Sequence, residues 1–464
     1  MALARTPAHS SPFDISAFSA GITGTVTRPE DEDYDVARLV KNRNFDRRPA
    51  LIVRADGTAD VIRTVLFARD AGLELAVRGG SHSVAGYGTT DGGIVLDLST
   101  MKGLHIDPER RLAWAQAGLT AGEYTAAASA QGLATPFGDT GSVGISGLTL
   151  GGGIGWLVRK YGMAIDALVS VEIVTAEGRV ITASEDEHSD LFWAVRGGGG
   201  NFGVVTRFQF RLFPVGMIFG GALFMPPTKE VLRSLGPIAA SAPEALTTIS
   251  FLMAAPPAPF IPAELHGKPT LVIMFVFDGD PEAGQAAIEP FRQVATPLAE
   301  LVMPMPYVGI YELLKDAEQP GPGVHRSLFL TALDDAAIDA ILEHTATSPA
   351  TMTQIRILGG AMARVPAGDT AFAHRDAEVM VVLMTQFEDP AELPVHQAFI
   401  QAFYEALAPA SVGVYSNFLE AEGEARIHEA YPDLTYHRLA QVKRRYDPEN
   451  LFRLNQNIRP ASES

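Results

Sequence analysis

VRGGSHSVAGYG, residues 77–88, carries four glycines in twelve positions with a histidine, His82, in the middle. Glycines at that density mark a backbone that must turn sharply and approach something closely. The flanking text places this loop. LELAVRG (73–79) and GGIVLDL (92–98) read as strands, as does ALIVRA (50–55) upstream. Between the first two strands of the chain order, Thr58 is predicted to cap a helix with Val61, Ile62, Val65 and Leu66 on its apolar face. The loop therefore joins two strands of a packed α/β unit.

The bulk numbers narrow the function. The chain has 464 residues, 47% of them hydrophobic, which predicts two or three domains or one large domain with an insertion. Its formal net charge is 36 − 54 = −18. Nucleic acid and anionic membranes need a basic footprint and are not expected partners. There is no cysteine, which excludes disulfides, cysteine-ligated metals and thiol catalysis. MALARTPAHSSPFDISAF at the start holds no apolar run of leader length, and no run of about 18 apolar residues occurs. A soluble, cytoplasmic protein, monomer or homodimer, is the expectation.

Two further glycine-rich stretches follow, GDTGSVGISGLTLGGGIG (138–155) and RGGGGNFGVV (196–205). Gly198 to Gly203 fits G-x-G-x-x-G formally, but helix text precedes it and the strand VVTRFQFRL follows, the reverse of a dinucleotide fingerprint. No phosphate-binding P-loop, no nucleophile elbow and no metal-ligand histidine spacing is present. Three glycine loops in one α/β region instead point to a large phosphate-bearing cofactor held by backbone N–H groups. Beside such a cofactor, His82 is a base or an attachment point, against the plainer reading of a solvated loop histidine. Past residue 213, PTLVIMFVFDGD (269–280) and TQIRILGG (353–360) read as strands separated by helices such as DDAAIDAILEHT (334–345). The chain ends with LAQVKRRYDPENLFRLNQNI, a helix that stops before Asp447–Pro448, then a polar strand or loop.

RGGSHSVAGYGTTDGGIVLDLSTM (78–101) resembles the first FAD-binding loop of the vanillyl-alcohol oxidase/PCMH flavoproteins, and more narrowly of the berberine-bridge-enzyme-like oxidases. The resemblance continues through GSVGISGLTLGGGIGWLVRKYG, DLFWAVRGGGGNFGVVT and YDPENLFRLNQNI, and covers about residues 48 to 458. It implies an α+β fold. A PCMH-type FAD-binding domain of two α/β subdomains (1–212, completed by 411–464) would carry an inserted substrate domain (213–410) built on an antiparallel sheet covered by helices. It also implies that FAD is held by Arg78, Gly79, Gly80, Ser81, Ser83, Gly86 and Tyr87 of the first loop. The second loop would add Gly138, Thr140, Val143, Gly144, Ser146 and Gly147. The third would add Gly200, Asn201, Gly203, Val204 and Val205, and the C-terminal segment Asn455 and Asn457.

The same resemblance makes His82 the covalent attachment point of the flavin. Thr140 stands where bicovalent members have a second link from cysteine, so a single histidyl bond is implied. Val143 stands where valine goes with oxygen access, a vote for O2 as electron acceptor and hydrogen peroxide as product. On the substrate side, strand alternation puts Gln354, Arg356 and Leu358 on one face, and similar family strands lie over the flavin ring. Arg356 is either salt-bridged or a clamp for an anionic or carbonyl-bearing substrate. The family's glutamate base is replaced at Ala363 and its tyrosine base at Phe418, which leaves Tyr415 and Asn417 as polar candidates. His374 and Tyr307 read as structural. A missing base suits an amine, an acidic phenol or a β-dicarbonyl better than a sugar. The implied function is an FAD oxidase of a small organic molecule. The alternatives are a flavin-dependent oxygenase or dehydrogenase of secondary metabolism and a flavin- or ligand-binding protein without catalysis.

Overall fold

Three short apolar runs, Leu51–Arg54, Leu75–Arg78 and Ile94–Asp97, pair in parallel with Ile94–Asp97 in the centre, and Thr25–Thr27 adds an antiparallel edge. Strands that read LIVR, LAVR and IVLD, buried on both faces, suit this arrangement. The computed structural model describes residues 14–315, 319–348 and 350–462. The N-terminal stretch read as lacking an apolar leader lies largely outside them.

A parallel connection needs a crossover. From the first strand to the second it is the helix Thr58–Ala71, which buries Val61, Thr64, Val65 and Ala68 and stops at Gly72 in the left-handed region (φ 63°). Thr58 does not cap this helix. Gly57 holds the cap position, and the Thr58 hydroxyl donates to Glu172 Oε1 at 3.0 Å instead. From the strand ending at Arg78 to the one starting at Ile94 there is no helix. The glycine loop itself makes the crossover, over the carboxyl ends of the parallel strands, the usual place for a ligand in an open α/β sheet.

A five-stranded antiparallel sheet packs beside this unit, with Val204–Arg211 at its centre. The helix Ser189–Val195 precedes the third glycine cluster and Val204–Arg211 follows it, the order expected from the sequence. One core unites both sheets.

Residues from Met217 on form an eight-stranded antiparallel sheet. Its period-two pattern separates two faces. Leu223, Ile355, Val381 and Leu383 pack under the helices Lys229–Ser241, Pro281–Val294, Asp335–Thr347 and Leu393–Leu407. Phe251, Gln354, Arg356 and Val382 face the glycine loops. Ser411–Gly413 pairs with Gly323–Leu330 as the edge strand, so the chain leaves this sheet a few residues after the expected 410.

The C-terminal helix Asp433–Tyr446 returns to the first half of the molecule. After it comes an irregular loop with no strand. Lys443 fixes that loop. Its Nζ donates to Asp447 Oδ2 (2.6 Å), Asn201 O (2.7 Å) and Phe452 O (2.8 Å), and both side chains of the ion pair are 0% exposed. Burial pushes the Lys443 ammonium down from its usual range, and Asp447 opposes that shift. Removing one partner of such a pair costs about 3–5 kcal/mol. Lys443→Met is therefore expected to lower unfolding stability by about that amount in urea titrations.

Candidate functional site

The three glycine loops, the C-terminal loop and the inner face of the large sheet enclose one cavity of about 490 Å³, within the size range of ligand sites. The first two loops meet backbone to backbone. A Cβ on Gly80 would collide with the main chain of Gly144, one on Gly144 with Gly80, and one on Gly79 with the Ser146 hydroxyl. No residue larger than glycine lets these loops close into a single wall. In contrast, a Cβ on Gly147 or Gly200 would meet nothing within 4 Å, and both residues line the cavity.

Ser81 holds a left-handed conformation (φ 63°), uncommon for a residue with a side chain, immediately before His82. His82 lines the cavity, and its Nε2 lies 2.9 Å from Ser142 Oγ of the second loop. Burial, and then the charge of Lys41, push the imidazole down to about 4, against the opposing pull of the Ser142 contact and Asp139. The ring is therefore neutral at physiological pH, the form with a nucleophilic nitrogen.

Most of the residues expected at a cofactor line this cavity: Ser83, Tyr87, Gly138, Thr140 and Val143 from the first two loops, Gly203, Val204 and Val205 from the third, and Asn455. Two do not. Gly86 packs against the Phe45 ring, and Asn457 lies outside the lining. Two others play a different part from the one expected. Arg78 is paired with Asp97 (2.8 Å) and donates to Ala37 O, so its charge is matched inside the protein rather than held ready for a pyrophosphate. Asn201 has its amide tied to Gly198 O, Gln456 O and the Ile458 N–H, so it staples the third loop to the C-terminal loop.

The fit to FAD rests on this chain's own groups. Gly147 and Gly200 leave an open cradle, and buried polar atoms at the wall, Arg78 Nη1 and Asn455 Oδ1, have no protein partner. Buried polar groups left in this way call for a ligand or water. Among the described residues no cluster of three acidic or histidine side chains suits a metal.

On the other wall, Arg356 is 3% exposed and salt-bridged to Asp139 at 2.7 Å. It also donates to Gln354 Oε1 and Ile154 O, both at 2.9 Å, and lies over the Phe418 ring. Of the two readings of Arg356, the salt bridge is the one present: its charge is matched by a carboxylate. Asp139 was missed because a carboxylate in a glycine loop carries no signal without its partner strand. Tyr415 and Asn417, the two polar candidates, are hydrogen-bonded to each other. The Tyr415 hydroxyl accepts from the Gly153 N–H (2.8 Å) and from Asn417 Nδ2 (2.9 Å). Burial raises the Tyr415 phenol, and these two bonds and Arg356 pull the other way. Leu358 packs in an apolar cluster below Arg356. Ala363 is exposed on the short helix Ala361–Arg364, outside the cavity. His374 Nε2 donates to Glu429 O at 2.8 Å and Tyr307 is fully buried, and neither lines the cavity. The alternation that places Gln354 and Arg356 inward also brings in Phe251, Met352, Val382, Met384, Gln386 and His325, which the sequence reading passed over.

Two model-to-sequence matches bear on this geometry. Residues 49–184 match the family model described as FAD binding domain, and residues 414–459 the one described as Berberine and berberine like. The chain is 32% identical over 455 residues to (R)-6-hydroxynicotine oxidase of Paenarthrobacter nicotinovorans, covering 95% of this chain and 97% of that one. It is 31% identical to the FAD-linked oxidoreductase YgaK of Bacillus subtilis, covering 96% and 98%. The crystal structure of 6-hydroxy-D-nicotine oxidase from Arthrobacter nicotinovorans superposes with a TM-score of 0.85 at 29% identity, covering 95% of this chain and 98% of that one. Xylooligosaccharide oxidase from Myceliophthora thermophila shares the fold, with a TM-score of 0.85 at 24% identity over 97% and 99% of the chains.

Two outcomes are expected. Gly80→Ala should force the first two loops apart, lowering stability by about 1–3 kcal/mol and the amount of cofactor co-purified. The His82 value of about 4 lies below the ordinary 6.5, so the unfolded chain binds the extra proton first. The stability from a neutral His82 is complete above pH 6.5 and is lost as pH falls through 4. Unfolding of cofactor-free protein across this window should show a slope worth about 3 kcal/mol that is missing in His82→Asn.

Proposed function

The chain belongs to the berberine-like FAD-linked oxidoreductases, and on that premise we propose that it is an oxidase with FAD joined to His82 by one covalent bond. It passes electrons to O2, giving hydrogen peroxide, and acts on a small, largely apolar substrate. The observation that carries this is His82: a neutral imidazole, aimed by a strained Ser81 into the cavity where three glycine loops meet. With no cysteine in the chain, no second family-type link competes with it.

FAD, when bound, supplies the two-electron oxidising power. The residues supply position and protection. The Gly80–Gly144 wall, closed main chain to main chain, would offer backbone N–H groups to FAD. Ser142 holds Nε2 of His82, so Nδ1 is the nitrogen left for attachment when Nε2 carries the proton. Val143, small and on the wall, leaves room for O2. The Asp139–Arg356 pair locks the roof to the floor and keeps that contact dry.

The substrate wall supports a hydroxylated aromatic or an amine over a sugar. Phe251, Met352, Val382 and Met384 are apolar, with Gln354, Gln386 and His325 as polar handles, whereas a sugar needs dense hydrogen bonding. The relative named as a 6-hydroxynicotine oxidase agrees with that preference.

Acid precipitation provides the test of the tether. The yellow colour should stay with the pellet of the wild type and pass to the supernatant in His82→Ala. Flavin in the wild-type supernatant overturns it. Anaerobic addition of amines, phenols and sugars should bleach the flavin with members of the first two classes, and air should restore the colour with peroxide release. Labelled oxygen recovered in the product would turn the reading to an oxygenase.

A further inference from the structure

The family's two bases are replaced here at Ala363 and Phe418, yet oxidising an alcohol to a carbonyl, or an N–H amine to a neutral imine, also releases a proton. The titratable groups around the cavity are mostly committed. Asp139 accepts from Arg356 and Gln354. Arg356 is held by Asp139, Gln354 and Ile154 O. The Tyr415 oxygen already accepts two bonds. His82 is held by Ser142 and, on the reading above, carries the flavin.

His325 differs from all of these among the described residues. It lines the cavity on the strand Gly323–Leu330. Its Nδ1 is buried, has no hydrogen-bond partner, and lies 3.7 Å from Glu420 Oε1. Glu420 is itself fixed: Oε1 accepts the His325 backbone N–H at 2.8 Å and Oε2 accepts Arg326 Nη1 at 2.8 Å. Arg326 is shared with Glu422, which also binds Arg426. The carboxylate therefore cannot swing away from the imidazole. An aligned carboxylate beside one ring nitrogen sets the tautomer and leaves the other nitrogen to take a proton. Such contacts are often long before a substrate binds.

Register places this pair at the substrate wall. His325 is opposite Met384, and Met384 is flanked on its other side by Met352. Both methionines line the cavity. Ser327, the next same-face position on the strand and about 7 Å along it, reaches the carbonyl of Phe418. Phe418 is the position where the family tyrosine is absent, so His325 stands one step along the same wall.

We propose that His325 is the catalytic proton acceptor of this enzyme and that Glu420 is its positioning residue. This rests on the oxidase reading. The proton of a substrate O–H or N–H moves to Nε2 of His325. The bonding pair it leaves forms the new C=O or C=N bond to the carbon that gives up its hydride, for which bound FAD would be the two-electron oxidant of the proposed activity. Because the acceptor opens on methionines, the substrate presents a single ionisable group on an apolar body.

The test uses the full flavin-loaded chain, wild type beside His325→Gln, His325→Asn and Glu420→Gln, with flavin absorbance confirming that each is folded. One readout involves no turnover. 4-Nitrophenol is titrated into each protein at about pH 6 and the absorbance of its anion is followed. The wild type should raise the ionised fraction of the bound phenol above that of the free phenol, and neither His325 variant should. In the second readout, the rate of anaerobic flavin bleaching is measured against pH. The His325 variants should lose about 100-fold or more and the acid limb of the profile with it. Glu420→Gln should keep that limb, displaced, with a smaller loss. A wild-type protein that leaves the phenol unchanged, equal ionisation in wild type and His325→Gln, or an acid limb that survives in both His325 variants overturns the proposal. If no substrate bleaches the wild-type flavin, the oxidase reading fails, and the phenol titration still decides the role of His325.

Discussion

One buried ammonium organises the site. Lys443 has no access to water, so each of its three donors must find an acceptor within the protein. It finds the carbonyl of Asn201 in the third glycine loop, the carbonyl of Phe452 in the C-terminal loop and the carboxylate of Asp447 at its own helix end. Asp447 in turn accepts the N–H groups of Leu451 and Phe452. Two irregular segments more than two hundred residues apart in sequence are thereby held at fixed distance. Asn201, Asn455 and Gln456 reach the cavity wall only because of that arrangement.

A second constraint is steric. Loops one and two meet main chain against main chain at Gly80 and Gly144. That contact sets His82 beside Ser142 and fixes the floor of the cavity. The roof comes from the large sheet and is joined to the floor by Asp139 and Arg356. A buried pair of this kind adds little net stability compared with apolar packing, but leaving either charge alone is costly. It therefore favours one docking of sheet on loops over any other, and the cavity keeps its shape.

The substrate wall follows from strand register. Alternation on Thr351–Ile357 turns Gln354 and Arg356 inward, and pairing with Val379–Gln386 and Gly323–Leu330 brings Met384 and His325 to the same face. Their chemistry is sparse and mostly apolar, in keeping with oxidation of a compact organic molecule. A hydroxynicotine oxidase and a xylooligosaccharide oxidase share this fold, so the fold by itself does not choose the substrate.

Local composition alone marked the three glycine loops, the strands on either side of the first, the helix before and strand after the third, and His82 as the residue to watch, because close backbone approach demands glycine wherever it occurs. The absence of cysteine likewise follows from the sequence and would limit a family-type tether to one residue. Thr58 as a cap was misjudged because its hydroxyl is drawn to Glu172, a partner 114 residues away. The sequence left Arg356 open between a salt bridge and a substrate clamp, and it showed no partner for Arg78; Asp139 and Asp97 stand beside them only in the fold. His325 and Glu420 were invisible, since nothing in their own segments signals a meeting. Spacing along the chain reports what a segment can form. Which charges neutralise each other, and which base is left over, depends on strand register and domain docking, and these exist only in the folded protein.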